Sequence, residues 1–245
     1  MYIQIPEAVA QNKIELKNGH HHTNILIHIA ELFKYESYLE IGINLPQECF
    51  DLIPCDYKIS VDPNSKADYI MTSDSFWKGI DKEIEIEKCP EKFDLIFIDG
   101  KHTYKESKND LIQSLKYLSP KGTIVLHDVK PWNEDSQKIP RISQQWNGDV
   151  WKTATEHSSL ANHLVYTIDC DYGVCCIHPF MPRDEDKLRY GFNHDYKEFE
   201  KDIKTYLNLI SIDEWYKKIK DISLQVQADS SEKSLWKSLF KKVAK

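Results

Sequence analysis

Long apolar runs are missing from this chain of 245 residues, and no stretch approaches the ~20 residues that a membrane-spanning helix requires. No spanning helix is therefore expected. An excess of positive charge is missing too, because 32 Lys and Arg face 39 Asp and Glu for a net charge of −7. A nucleic-acid backbone needs a basic surface, so no nucleic-acid partner is expected. Cysteines at 49, 55, 89, 170, 175 and 176 lack paired CxxC spacing and read as reduced structural thiols. The opening Met-Tyr-Ile-Gln-Ile-Pro-Glu lacks the charged and apolar regions of a secretory signal, which sets a cytoplasmic expectation. Glycine is scarce, at 8 residues.

What is present is hydrophobic content of 41%, enough for one substantial core. The most informative stretch is residues 93–104, Phe-Asp-Leu-Ile-Phe-Ile-Asp-Gly-Lys-His-Thr-Tyr. Its apolar, β-branched and aromatic run predicts a buried strand, and Asp99-Gly100 opens a loop at the strand's carboxyl end. In open α/β sheets that edge binds ligands. Asp99 and His102 thus sit where chemistry is expected.

The remaining pattern repeats the same unit. Apolar positions Ile25, Leu26, Ile29, Ala30 and Phe33 predict a helix over residues 23–33. Strands follow at 38–43, 57–61 and 69–71, and a further strand at 123–126 comes after a helix over 105–118 that Ser119-Pro120-Lys121-Gly122 stops. Runs at 163–168 and 173–177 are joined by a connection too short for a parallel crossover, so they predict an antiparallel hairpin at the sheet edge. The expected fold is α/β: a Rossmann-like, doubly wound, mainly parallel sheet of seven strands ending in that hairpin. Residues 1–182 form the expected core domain. Residues 183–245 read as a helical extension without a new strand, packed on the core or on a second subunit of a homo-oligomer.

Three features stand at the ends of the first three strands: Glu40-Ile41-Gly42, Asp62, and a loop Ser73-Asp74-Ser75-Phe76. A turn that lets backbone approach a ligand, followed by a carboxylate able to accept from two ribose hydroxyls, describes a nucleoside cofactor site. The run after Gly42 is Ile43-Asn44-Leu45-Pro46-Gln47, so the Gly-x-Gly-x-x-Gly of dinucleotide sites is lacking. A cofactor without a pyrophosphate fits better. At the opposite side, Asp99, His102, His127 and Asp128 lie at the ends of two adjacent predicted strands and can converge. They supply the groups that proton removal or cation binding requires.

Tyr38-Leu-Glu-Ile-Gly42, Val61-Asp62-Pro63, residues 93–104 and Gly122-Thr-Ile-Val-Leu-His-Asp128 together resemble the successive motifs of class I S-adenosylmethionine-dependent methyltransferases. Gly148-Asp-Val-Trp-Lys152 and Asp169-Cys-Asp-Tyr-Gly173 are similar to blocks of the bacterial branch that includes sugar O-methyltransferases of antibiotic and surface-polysaccharide pathways. The resemblance covers about residues 20–180. It implies that Glu40 and Gly42 border the methionine part of S-adenosylmethionine, Asp62 holds the ribose, and Ser73, Asp74, Ser75 and Phe76 contact adenine. It also implies His102 as general base, with Asp99 and Asp128 catalytic and holding Mg²⁺. His127 stands where that branch has an acid; as a third ligand beside Asp99 and Asp128 it would favour Mn²⁺ or another transition ion over Mg²⁺. The acceptor implied is a sugar or nucleotide sugar, with a small phenol or amine, or a non-catalytic scaffold role in glycan assembly, as alternatives.

Three further features complete the reading. His20-His21-His22 precedes the first predicted helix and reads as a polar loop, with substrate contact through an N-terminal lid as the functional alternative. Trp132, Trp146 and Trp151 flank the loop after the fifth strand. Residues 234–245 form a basic amphipathic pattern suited to the protein's own core, a partner groove or an anionic membrane surface.

Overall fold

The computed structural model describes residues 2–64, 66–81, 89–183 and 193–243, with side chains to residue 228. Its elements in order are α1 (Pro6–Lys17), α2 (His22–Phe33), β1 (Ser37–Ile41), β2 (Tyr57–Asp62), β3 (Tyr69–Ile70), α3 (Ser73–Asp81), β4 (Phe93–Ile98), α4 (Tyr104–Tyr117), β5 (Leu118–Leu126), α5 (Trp151–Leu160), β6 (His163–Ile168), β7 (Val174–Pro182), α6 (Tyr196–Lys201), α7 (Ile203–Tyr206), β8 (Leu209–Ile210) and α8 (Ile212–Val243). Two short 3₁₀ turns, Pro46–Glu48 and Phe50–Leu52, link β1 to β2.

All strands join one sheet in the order β3-β2-β1-β4-β5-β7-β6-β8. The pairs β1–β2, β1–β4, β2–β3 and β4–β5 are parallel, whereas β7 runs antiparallel to both β5 and β6. The chain winds outward from β1 to β3 and then crosses back to β4. The crevice between the tips of β1 and β4 is therefore the topological switch point, where such sheets hold ligands.

The central strands are buried on both faces, and their side chains alternate between two cores. Leu39 and Ile41 of β1 join Ile96 and Ile98 of β4 in one cluster with Trp77, Phe76 and Trp151. Tyr38, Leu95 and Phe97 point the other way, into a cluster with Ile25, Leu26, Ile29 and Trp215. This explains why residues 93–98 read as a continuous apolar run instead of an alternating one. Each fully buried Phe or Ile contributes roughly 1.5–3 kcal/mol. The strands that carry the site are thus held where the protein is hardest to deform.

The structure corrects several expectations. Among the described residues the sheet has eight strands, not seven. The additional β8 pairs with β6 in parallel register, so the β6–β7 hairpin lies inside the sheet and not at its edge. A two-residue strand has no periodicity of its own; it exists because Asn208, at φ 48°, turns the chain against β6. Strand β5 begins at Leu118, through the Ser119–Gly122 segment expected as a turn, and Phe93 pairs with Leu118 across an irregular step. Beyond residue 182 the chain supplies both cores, with Tyr196, Phe199 and Leu207 in one and Trp215, Ile219 and Ile222 in the other. Helix α8 continues to Val243, and the side chains of the predicted basic amphipathic pattern lie outside the described residues. Among the described residues, no helix is long and apolar enough to cross a membrane. The described cysteines are free thiols.

Candidate active site

At the switch point a cavity of about 390 Å³ is lined by Gly42 from the β1 tip, Asp62 and Pro63 from the β2 tip, Ser73 and Asp74 from the start of α3, and Gly100 from the β4 tip. Gly42 makes this approach of backbones feasible. It adopts φ 90°, and a Cβ there would lie 2.2 Å from the Asp99 carbonyl oxygen. The Asp62 carboxylate is half-buried and accepts from the backbone N–H of Ile43 (3.3 Å) and Asn64 (2.7 Å). Those bonds fix the carboxylate at the cavity wall with further acceptor capacity to spare.

Not every residue expected at the cofactor lies there. Ser73-Asp74-Ser75-Phe76 is the first turn of α3 and not a loop. Ser75 is exposed and bonded to Thr72, while Phe76 is fully buried against Tyr69 and Trp77. Neither lines the cavity; Thr72, Lys101, Glu106 and Asn109 do, none of which the sequence singled out. Glu40 is also buried, behind β1, where it accepts from the Tyr38 hydroxyl at 2.6 Å. Burial pushes its carboxyl up to about 7.

Beyond the Gly42–Asp99 contact lies a polar cluster. Asp99 Oδ1 is 3.0 Å from His127 Nδ1 and 3.6 Å from His102 Nε2. His102 Nδ1 lies 2.9 Å from the Trp146 carbonyl and 3.2 Å from Asp128 Oδ2, two acceptors that require Nδ1 to carry a proton. The lone pair of neutral His102 is therefore on Nε2. Its ring stacks on Trp146, with centroids 5.4 Å apart. Of the other two tryptophans that flank this loop, Trp132 is exposed and Trp151 is core, stacked on Phe199. Asp128 Oδ1 accepts from Asn147 Nδ2 at 2.5 Å. Asn147 Oδ1 is buried without a protein partner.

The Gly148–Lys152 block explains how the loop after β5 returns to this point. Asp149 Oδ1 accepts the Tyr104 N–H at 2.6 Å and so caps α4 from a distance, while Gly148 lets the His102 carbonyl pass. The Asp169–Gly173 block supplies Asp171, which the sequence reading left without a role. Its backbone carbonyl accepts from His127 Nε2 at 2.8 Å, and its carboxylate reaches His22. Asp128, Asp171 and Tyr172 adopt φ of 60°, 47° and 59°, the left-handed region that costs a non-glycine residue roughly 1–2 kcal/mol.

Electrostatics follow from this packing. Burial opposes ionisation of Asp99, but His127 and His102 hold its carboxyl well below the usual range. Burial raises Asp128, against the pull of the same two rings. For His102 burial acts downward, yet the charges of Asp128 and Asp99 carry it up to about 9. His127, between Asp99, Asp128 and Asp171, is raised well above an ordinary histidine.

Asp99, His102 and Asp128 offer ligand atoms within 4.8 Å of one another, so two carboxylate oxygens fit a divalent cation. His127, expected as a ligand, has both ring nitrogens engaged, one of them by a carbonyl that demands a proton. The third donor in reach is His102 instead.

Residues 59–129 match the family model described as a methyltransferase domain. This segment runs from β2 to just past β5 and contains Asp62, Asp99, His102, His127 and Asp128. No curated protein matches the chain in sequence. Among solved structures, an O-methyltransferase from Bacillus cereus in complex with SAH is 13% identical, covering 63% of this chain and 79% of that one with a TM-score of 0.46. An SAH-bound methyltransferase from Podospora anserina is 18% identical over 64% of this chain and 77% of its own, at a TM-score of 0.44. The MycE methyltransferase of the mycinamycin pathway, in complex with Mg, SAH and mycinamycin VI, is 13% identical over 66% of this chain and 49% of its own, at a TM-score of 0.42.

Proposed function

We propose that this chain is an S-adenosylmethionine-dependent O-methyltransferase that methylates a hydroxyl of a sugar, carried on a nucleotide or on a surface-polysaccharide precursor, with His102 as general base. The observation that carries the reading is the pinned tautomer of His102. Its Nδ1–H is committed to the Trp146 carbonyl and Asp128, and its Nε2, 3.6 Å from Asp99 Oδ1, is left to receive a proton. In the reaction the acceptor oxygen forms a bond to the methyl carbon as the carbon–sulfur bond breaks. Bound S-adenosylmethionine would supply the methyl group and leave as a neutral thioether, while His102 Nε2 takes the hydroxyl proton.

Asp99 faces the ring on the Nε2 side and favours the imidazolium that results. In this reading Asp62 takes the ribose hydroxyls and Ser73 and Asp74 the base; that all three line one cavity supports it. A divalent cation bound here would be held by Asp99 and Asp128, and it would acidify the acceptor hydroxyl.

Titration calorimetry with S-adenosylhomocysteine on cofactor-stripped protein tests the first half of this reading. Saturable binding to one site is expected, weakened by Asp62→Ala; an absence of heat for both S-adenosylmethionine and its product overturns it. Methyl transfer from labelled cofactor should then reach nucleotide sugars in preference to small phenols or amines. Transfer confined to phenols or amines rejects the sugar acceptor while leaving the chemistry.

A further inference from the structure

The three successive histidines read as a polar loop, since consecutive residues make a poor ligand set. Folding changes this by bringing Asp171 to two of them, 149 positions along the chain from His22. His22 Nδ1 lies 2.6 Å and His21 Nε2 3.5 Å from the same oxygen, Asp171 Oδ2. The three ligand atoms fall within 4.8 Å of one another. We propose that His21, His22 and Asp171 bind a divalent transition ion of the Zn²⁺ type, at a site separate from the Asp99–Asp128 pair, which fastens the start of α2 to the turn between β6 and β7.

The donor set selects the class of ion. Two imidazole nitrogens with one carboxylate oxygen suit zinc and its transition-metal neighbours, whereas Mg²⁺ and Ca²⁺ take oxygen. Geometry agrees: bonds of about 2.0–2.1 Å in a tetrahedron hold ligand atoms ~3.3–3.4 Å apart. The His21 distance of 3.5 Å already meets this, and His22 at 2.6 Å has to open by about 0.8 Å.

The surroundings hold each ligand from behind, as outer partners of metal sites do. Asn12 Nδ2 donates to Asp171 Oδ1 at 3.1 Å, which turns Oδ2 toward the histidines, and the Asp171 N–H donates to Glu15 Oε2 at 2.7 Å. His22 is stacked on Phe97 with ring centroids 5.2 Å apart. An imidazole that binds through Nε2 keeps its proton on Nδ1. For His21 the acceptor of that proton is Thr23 Oγ1 at 3.2 Å, whose own hydroxyl donates to the Glu48 carbonyl at 3.1 Å. The Thr23 N–H reaches the same nitrogen at the longer distance of 3.4 Å, and it serves the other tautomer. His127 places its Nε2–H nearer the Asp171 carbonyl, at 2.8 Å, than Oδ2, at 3.4 Å, and the His22 N–H donates to Oδ2 at 3.0 Å, so this oxygen is held against the start of α2 by backbone as well as by side chains.

The test does not depend on methyl transfer. Chelator-stripped full-length protein is titrated with Zn²⁺ by calorimetry and with Co²⁺ by visible absorption, alongside His21→Gln, His22→Ala and Asp128→Asn. One tight equivalent is expected in the wild type and in Asp128→Asn. The two histidine variants should lose more than the ~10–100-fold in affinity that removal of an outer-shell partner costs. X-ray absorption of the Zn²⁺-loaded wild type reports on the site even if a variant fails to fold, because two imidazoles are expected here and the Asp99–His102–Asp128 group offers one. No saturable uptake, a single imidazole in the spectrum, or loss of the equivalent in Asp128→Asn with retention in the histidine variants overturns the proposal.

Discussion

Gly148→Ala is expected to lower both stability and turnover more than any other single-methyl change at the site. Gly148 sits at φ 62°, and an added Cβ would fall 1.6 Å from the carbonyl oxygen of His102, 2.7 Å from its carbonyl carbon and 2.9 Å from its Cβ. Two of those three atoms are backbone, so no rotamer change relieves the clash. The loop must move, and it is the loop that carries the proposed base. Overpacking together with a left-handed alanine costs about 2–4 kcal/mol, or a drop of about 5–15 °C in Tm for a domain of this size. Displacement of His102 by an ångström costs a further ~100-fold in turnover. The switch-point cavity is lined by Gly42 and Asp62 and by neither Gly148 nor His102, so the affinity for S-adenosylhomocysteine should hold. Thermal unfolding with a parallel rate assay decides. A variant that melts and turns over like the wild type would show that Gly148 does not hold His102.

His102→Ala should reduce turnover ~10²–10⁴-fold, the range that a positioned acid–base group supplies, with cofactor affinity intact. The pH dependence gives the sharper signature. Burial pulls the ring's pKa down, but Asp128 and Asp99 outweigh it and set it at about 9. A base works only when proton-free, so kcat/KM of the wild type should rise with pH and level off above about 9. It should fall as the ring protonates below that value. In His102→Ala this limb should vanish and leave a low, flat profile. A wild-type profile that peaks near neutrality and declines before pH 9 would remove His102 from the role.

Much of the frame could be read from residue pattern because the strands near the switch point are buried on both faces and end in polar groups. Phe93–Ile98 with Asp99, and the strand ending at Leu126 with His127-Asp128, place the cluster at one edge from residue pattern alone. The misses have physical causes. The resemblance implies Phe76 as an adenine contact in a loop, yet α3 begins at Ser73 and rotates Phe76 into the core three positions later. Helix α1 went unseen because apolar residues do not gather on one of its faces: exposed Ile14 and Leu16 lie near its end, and only Ala8 is buried. Asp171, Asn147 and the Trp146 carbonyl reach the cluster across long sequence separations. Local periodicity holds no record of such contacts. Asp171 did stand within a recognisable block, but its partners His22 and His127 could be found only by folding.

The two carboxylates that face the histidines from opposite sides, Asp128 and Asp171, both occupy backbone that favours glycine. Glycine at either position would relax the chain and delete the charge in the same step. Among the described non-glycine residues at positive φ, which include Lys34, Tyr172 and Asn208, these two are the ones the proposed chemistry can least spare. A glycine that relieves either turn would also strand the groups its carboxylate now satisfies, Asn147 at one and Asn12 and His22 at the other, so the strain and the site are removed only together.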